Sequence, residues 1–217
     1  MRKDSRPDFV EEQYDDAEQQ EKTASFGMWV FLSTEVLFFG GLFLAYIVYR
    51  TTYPADFSHG VALTNHVLGS LDAAILLTSG LTMALAVHAI QHGRQTALRV
   101  LLVITIVLGL AFLSLKGLEY HQHISDHLLP GRGFNRDLSP HVELFFVLYF
   151  LMTGLHAIHM TIGVGLLIVM LILARRGAFS SAYYNPVDVC GLYWSFVDIV
   201  WIWLYPLFYV IHWKGGF

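Results

Sequence analysis

The feature that most constrains this chain is a series of five long apolar segments, each long enough to cross a membrane. A helix needs about 20 predominantly apolar residues to span the ~30 Å hydrocarbon core of a bilayer. The segments cover residues 26–49, 66–90, 100–120, 144–174 and 187–211. Their apolar runs are continuous rather than alternating, which argues against a transmembrane β-barrel. The sequence therefore predicts an all-α fold: a polytopic membrane bundle of five transmembrane helices within residues 24–213.

Composition agrees with this class and excludes others. Hydrophobic residues make up 55% of the 217 residues, and the net charge is −4, so the chain has neither the polar exterior of a soluble domain nor the basic surface of a nucleic-acid-binding protein. The single cysteine, Cys190, cannot form an internal disulfide and cannot alone supply a thiolate metal set, so we interpret it as a packing residue.

The ends of the segments predict the topology. Residues 1–23 form an acidic N-terminal tail, which we expect to be flexible and to contain no cleavable signal peptide, with Ser25 capping the first helix. Eight of the thirteen Lys and Arg residues lie in this tail and in the loops after the second and fourth segments. This bias places the N-terminus inside and the C-terminus outside. An interfacial aromatic belt is predicted at Tyr46, Tyr49, Tyr53, Tyr205, Tyr209 and Trp213.

Seven ionisable residues lie well inside the apolar segments. Such groups cost several kcal/mol in lipid unless they face the bundle interior and find partners, so they mark function or assembly. They are Glu35, Asp72, Lys116, Glu119, His156, His159 and Asp198.

Helix geometry divides these residues into two tiers. Glu35, Asp198 and the two histidines lie near mid-membrane, where we expect at least one contact from His156 or His159 to Glu35 or Asp198. In the outer tier, Lys116 and Glu119 share one helical face, and Asp72 can meet Lys116 across the hairpin between the second and third segments. These outer contacts either lock the hairpin or form a proton relay.

The spacing of His156 and His159 allows metal or haem ligation, but helix–helix hydrogen bonding is the favoured interpretation, because the other histidines lie at segment ends or in loops. No metal site is therefore predicted. For Asp198, the candidate hydrogen-bond donors are a histidine or the indole N–H of Trp194 or Trp201.

Five motifs together resemble one family. They are GMWVFLSTEVLFF at 27–39, LLTSG at 76–80, GLEY at 117–120, TGLHAIHMTIG at 153–163 and YWSFVDIVW at 193–201. In order and spacing they are similar to the helices of subunit III of the haem-copper oxidases, the cytochrome c oxidase subunit III family, in its five-helix form.

The resemblance implies an accessory, non-redox subunit of a proton-pumping terminal oxidase that passes electrons from cytochrome c to oxygen. Haem and copper are then expected in partner subunits, with this chain packed on subunit I, beside subunit II and within a possible respiratory supercomplex in a bacterial inner membrane. Such a subunit binds phospholipid in a cleft, stabilises subunit I and supports its proton uptake. By this resemblance Glu35 matches a buried, carbodiimide-reactive carboxylate, and Phe31 and Arg175 match lipid contacts.

The sequence departs from the family pattern in two places. Many members have seven helices, whereas five are predicted here, and members usually carry His where Ser195 stands. Three alternatives stay open: subunit III of a quinol oxidase, a haem-binding membrane reductase that uses His156 and His159, and a proton-coupled transporter that uses Glu35 and Asp198. The sequence around Glu35 favours cytochrome c as the electron donor.

Overall fold

The computed structural model describes residues 13–211 of the chain. The helices are α1 (Ala17–Thr52), α2 (Pro54–Ala62), α3 (His66–Gln91), α4 (Gln95–Ser125), α5 (Pro140–Arg175) and α6 (Asn185–Tyr205), and α6 continues into a π-helical segment, Pro206–Val210. Five of these helices are long and apolar enough to cross a membrane: α1, α3, α4, α5 and the continuous α6–π unit. The predicted all-α class and the five spans are confirmed.

Local sequence signals set where the helices begin and end. Asn65 caps α3 by accepting hydrogen bonds from the backbone N–H groups of Val67 and Leu68 at 3.1 and 3.2 Å. Ser139 caps α5, whose first residue is Pro140, a position where the missing N–H is not needed. Gly93 and Gly177 follow α3 and α5 with φ of 69° and 76°, the left-handed conformation that glycine adopts without strain. These glycines end the two helices, and the connection from α3 to α4 is a tight turn.

The first helix begins earlier than its apolar run suggests. α1 starts at Ala17, and its N-cap is Asp16, which accepts a hydrogen bond from the backbone N–H of Gln19 at 2.7 Å. The predicted cap at Ser25 is wrong, because polar residues that follow an Asp cap can continue a helix beyond the membrane. The part of the acidic tail formed by residues 1–12, like Trp213 of the predicted belt, lies outside the described residues.

The segment after α1 is helical, although the sequence suggested only a loop between the first two spans. α2 begins at Pro54, and its Phe57 and Val61 are four residues apart on one buried face. Gly60 lets this short helix approach α5, since a Cβ at that position would stand 2.5 Å from the Phe145 ring. α2 therefore caps one end of the bundle.

The last span is the central helix of the bundle. In its most apolar stretch 61% of residues are buried inside the protein, against 17–33% in the other four spans. α6 packs against α1, α3 and α5, whereas α4 packs mainly against α3 and α5. This arrangement places the ionisable residues of four helices around or beside α6.

Candidate functional site

A carboxyl–imidazole pair joins α1 to α5. Glu35 Oε2 lies 3.1 Å from His159 Nε2, and the two side chains are 19% and 15% exposed. The other ring nitrogen, Nδ1, lies 2.8 Å from the carbonyl oxygen of Leu155. Tyr193 donates a hydrogen bond to the backbone oxygen of His159 at 3.0 Å, and Phe39 meets the imidazole edge-on at 5.4 Å. The ring is thereby held in one orientation.

The hydrogen bonds assign the protons of this pair. A carbonyl oxygen only accepts, so Nδ1 of His159 carries a hydrogen. The 3.1 Å contact then needs one proton between Nε2 and Oε2 of Glu35, either on the acid or on the imidazole. The expected mid-membrane contact between a histidine and an acid is therefore present, and His159 makes it. Its chemistry is that of a proton-holding pair at the edge of the bundle.

A second cluster is an ion network within the bundle. Lys116 Nζ lies 3.0 Å from Asp72 Oδ2 and forms a further ion pair with Glu119. It also donates to the hydroxyl of Tyr209 at 2.7 Å, so two carboxylates and one hydroxyl surround its ammonium group. All three charged residues are at most 3% exposed. The predicted contact of Asp72 with Lys116 across the α3–α4 hairpin is thus present.

Two tyrosines complete this network. Tyr209 donates to Glu119 Oε1 at 2.7 Å, which uses its single hydroxyl hydrogen. The 3.0 Å contact between the hydroxyls of Tyr149 and Tyr209 must then be donated by Tyr149. The network therefore ties together α3, α4, α5 and the π-helical segment.

Tyr209 is the residue of this network that sequence reasoning placed elsewhere. The prediction that it belongs to an interfacial belt is wrong, because it is 1% exposed and its hydroxyl lies among charged groups. Tyr46 is likewise fully buried, and it donates to the backbone oxygen of Leu207 at 2.6 Å. The π-helical segment, which starts at Pro206, changes the helical register and turns Tyr209 inward. One signal in the sequence could have placed it there: Asp72, Glu119 and Lys116 need more hydrogen-bond partners than they can give one another.

His156 lies apart from both clusters. It is fully buried between Phe112 and Trp201, with ring centroids 5.5 and 5.1 Å away. Neither of its ring nitrogens has a hydrogen-bond partner among the described residues. It thus faces α4 and α6, whereas His159 faces α1. Within residues 13–211, no group of three or more His, Cys, Asp or Glu side chains is arranged to hold a metal ion.

Asp198 is 6% exposed and lies against Gly80 of α3, where a Cβ would stand 2.5 Å from its Oδ2. Neither carboxylate oxygen has a hydrogen-bond partner among the described residues. The predicted donor Trp194 instead gives its indole N–H to Ser79 Oγ at 3.1 Å, because Ser79 is the hydroxyl that α3 presents to that ring. Trp201, the other predicted indole donor, also has no partner among the described residues.

The two lipid-contact candidates lie on the protein surface. Phe31 is 39% exposed, and its ring stacks on Tyr193 with centroids 6.2 Å apart. Arg175 is the exposed last residue of α5.

A family model described as cytochrome c oxidase subunit III matches residues 9–215 of the chain. The chain belongs to this family. Three curated relatives named cytochrome c oxidase subunit 3 show how far the similarity extends. The protein of Alkalihalophilus pseudofirmus is 30% identical over 190 residues, which cover 88% of this chain and 87% of the relative. That of Synechocystis is 31% identical, with 86% and 75% covered, and that of Mus musculus is 29% identical, with 90% and 71% covered.

Membership in the subunit III family makes this chain a subunit of a multi-subunit haem-copper oxidase, an oxidoreductase of the respiratory chain. The metal centres of such oxidases sit in other subunits. With its five apolar helices, the chain is a multi-pass membrane protein.

Proposed function

We propose that this subunit III is an accessory, non-redox component that packs on catalytic subunit I and supports its proton uptake during turnover. The Glu35–His159 pair is the observation that carries the proposal. Its two side chains hold one proton between them, and both are partly exposed at the edge of the bundle. An ionisable pair in that setting costs free energy, which is expected where a site handles protons.

The same subunit is proposed to bind phospholipid. Phe31 offers an exposed ring for acyl chains, and Arg175 offers a cation for an anionic headgroup at the end of α5. Bound lipid at these positions would stabilise the contact with subunit I, because acyl chains fill the space between helices of the two subunits.

The distribution of Lys and Arg favours an N-terminus inside and a C-terminus outside. The bacterial relatives favour the inner membrane of a bacterium as the location. Subunit II is proposed as a further member of the complex, and assembly into a larger respiratory supercomplex is compatible with an accessory role.

Co-purification tests this proposal. The tagged chain is extracted in a mild detergent, and the chains that accompany it are identified by mass spectrometry. We expect a subunit I that carries histidine ligands for haem and copper, and a subunit II with a dicopper site that accepts electrons from cytochrome c. A subunit II without the dicopper site would favour the quinol oxidase instead. Isolation of the chain without any oxidase subunit would contradict the proposal.

A spectrum separates this function from the haem-reductase alternative. A reduced-minus-oxidised spectrum of the isolated chain should show no haem band, and a haem band lost on replacement of His156 and His159 would overturn the non-redox role. The transporter alternative has less support, because Glu35 contacts His159 rather than Asp198.

A further inference from the structure

Two histidines form a pair at the end of α3. His88 lies in the last turn of this helix, and His92 is its C-cap residue. Their ring centroids are 4.2 Å apart, and the ring planes are inclined by 46°. Both side chains are exposed. Since residues four apart lie on the same face of a helix, the two imidazoles come from neighbouring turns to one position.

A hydrogen bond fixes the tautomer of His92. Its Nδ1 lies 2.9 Å from the backbone oxygen of His88. A carbonyl oxygen only accepts, so Nδ1 carries a hydrogen, and the lone pair of the neutral imidazole is on Nε2. Metal-ligating histidines commonly donate their other ring N–H to a backbone carbonyl in this way, because the bond holds both the tautomer and the ring orientation. Nε2 of His92 is therefore oriented as a ligand.

His88 can supply a second ligand to the same ion. A neutral imidazole can present the lone pair of either ring nitrogen, and the exposed ring of His88 is free to turn. Two imidazoles bound at about 2.0–2.1 Å to one tetrahedral ion have ring centres about 5 Å apart. The observed separation of 4.2 Å is within a small side-chain rotation of that arrangement.

The end of a helix is also a favourable place for a cation. The last carbonyl groups of a helix lack intrahelical partners and carry a partial negative charge, which acts within the last turn. α3 has 26 residues, and the histidine pair lies at this end of it. Arg94 follows two residues after His92, but its side chain is exposed, so water and salt screen its charge. The helix end therefore adds to the attraction that two neutral imidazoles exert on a metal ion.

We propose that His88 and His92 bind a divalent transition-metal ion of the class that prefers imidazole, namely Zn²⁺, Cu²⁺ or Ni²⁺. One nitrogen of each ring is a ligand, and water completes the coordination because both side chains are exposed. With two protein ligands, the site is smaller than the groups of three or more that residues 13–211 lack. The ion ties the last turn of α3 to its C-cap. This site does not depend on the proposed function of the chain.

Titration of the full chain with zinc chloride tests the site. The chain is purified in detergent with a tag that contains no histidine, and binding is measured by isothermal titration calorimetry. We expect saturable binding of Zn²⁺ to the native chain. His88→Gln and His92→Gln should each weaken it by at least about tenfold, since loss of even an outer partner of a ligating histidine costs that much. Absence of saturable binding, or equal binding by the native chain and both variants, would overturn the proposal.

A double variant elsewhere on the chain is the matched control. His121 and His127 are also exposed, but they are six residues apart and do not share one face of a helix. The chain with His121→Gln and His127→Gln should bind Zn²⁺ as the native chain does. A loss of affinity in this control as large as that in the His88 and His92 variants would overturn the assignment to the pair.

Electron paramagnetic resonance of the native chain gives a second test, which needs no variant to fold. One equivalent of Cu²⁺ is added, and the nitrogen splitting of its spectrum counts the imidazole ligands. Two nitrogen ligands are expected, one from each histidine of the pair. A spectrum with one nitrogen ligand or none would overturn the proposal.

Discussion

At the scale of single residues, we predict that Glu35, in its pair with His159, is the carboxyl of the chain that reacts with carbodiimide. The proton between them lies on the acid or on the imidazole at an apolar, partly exposed site, and a carboxyl that holds a proton in apolar surroundings is the group that carbodiimides modify. Glu35→Gln should reduce labelling of the chain by a hydrophobic carbodiimide to background, measured by mass spectrometry of the peptides. Glu143→Gln is the control, because Glu143 lies outside the Glu35–His159 pair and accepts a hydrogen bond from the backbone N–H of Gly131. Undiminished labelling of Glu35→Gln would show that another acid is the reactive one.

Lys116 is the residue on which the buried ion network depends. Lys116→Met should reduce the free energy of unfolding by about 3–5 kcal/mol, because it leaves the buried carboxyls of Asp72 and Glu119 without their cation. The change is measured by SDS-induced unfolding of the purified chain. Lys22→Met removes an exposed ion pair with Glu18 and should leave stability unchanged. Equal effects of the two substitutions would contradict a structural role for the network.

At the scale of helices, small residues set how closely the spans approach. Gly109 of α4 faces α5 and α6, where an added Cβ would stand 3.0 Å from Val164 of α5 and 2.8 Å from the Trp194 ring of α6. Gly109→Ala should therefore destabilise the bundle by about 1–3 kcal/mol through overpacking. Gly165 of α5 has nothing within 4 Å of an added Cβ, and Gly165→Ala should be neutral or stabilising by up to about 1 kcal/mol, since alanine favours a helix. SDS unfolding midpoints of the two variants check this, and a Gly165→Ala loss as large as that of Gly109→Ala would contradict the packing described.

The helices also show how far the sequence could predict the structure. Apolar length alone predicted the five spans, and charge spacing alone predicted that Asp72 and Lys116 meet, because each rule depends on local geometry. The sequence could not predict α2, because Phe57 and Val61 form a buried face only once this helix packs against α5. Among the glycines of α5, only Gly163 would place an added Cβ as close as 3.0 Å to a neighbouring side chain.

The candidate site could likewise be predicted only in part from the sequence. The sequence identified the ionisable residues and anticipated an acid–histidine contact, since such groups need partners in a membrane. Which histidine makes it depends on helix rotation: His159 faces α1, and His156 lies against Phe112 and Trp201. The inward orientation of the Tyr209 side chain depends on a π-helical segment, which was not predicted from the sequence.

At the scale of the whole molecule, the chain is a bundle whose central helix is covered on all but one side. The Glu35–His159 pair lies at the contact between α1 and α5, and Ile199 and Trp203 of α6 are exposed. We propose that such a subunit contacts subunit I and supports its proton uptake. Its contribution to the oxidase is then expected in sustained turnover rather than in the initial reaction.

The most direct test of this account compares the oxidase purified with and without this chain. The account predicts the same haem and copper content and the same initial rate of electron transfer in both preparations, with the oxidase that lacks the chain losing activity after fewer turnovers. Loss of a haem or a copper from that oxidase, matched by the same metal on the isolated chain, would contradict it.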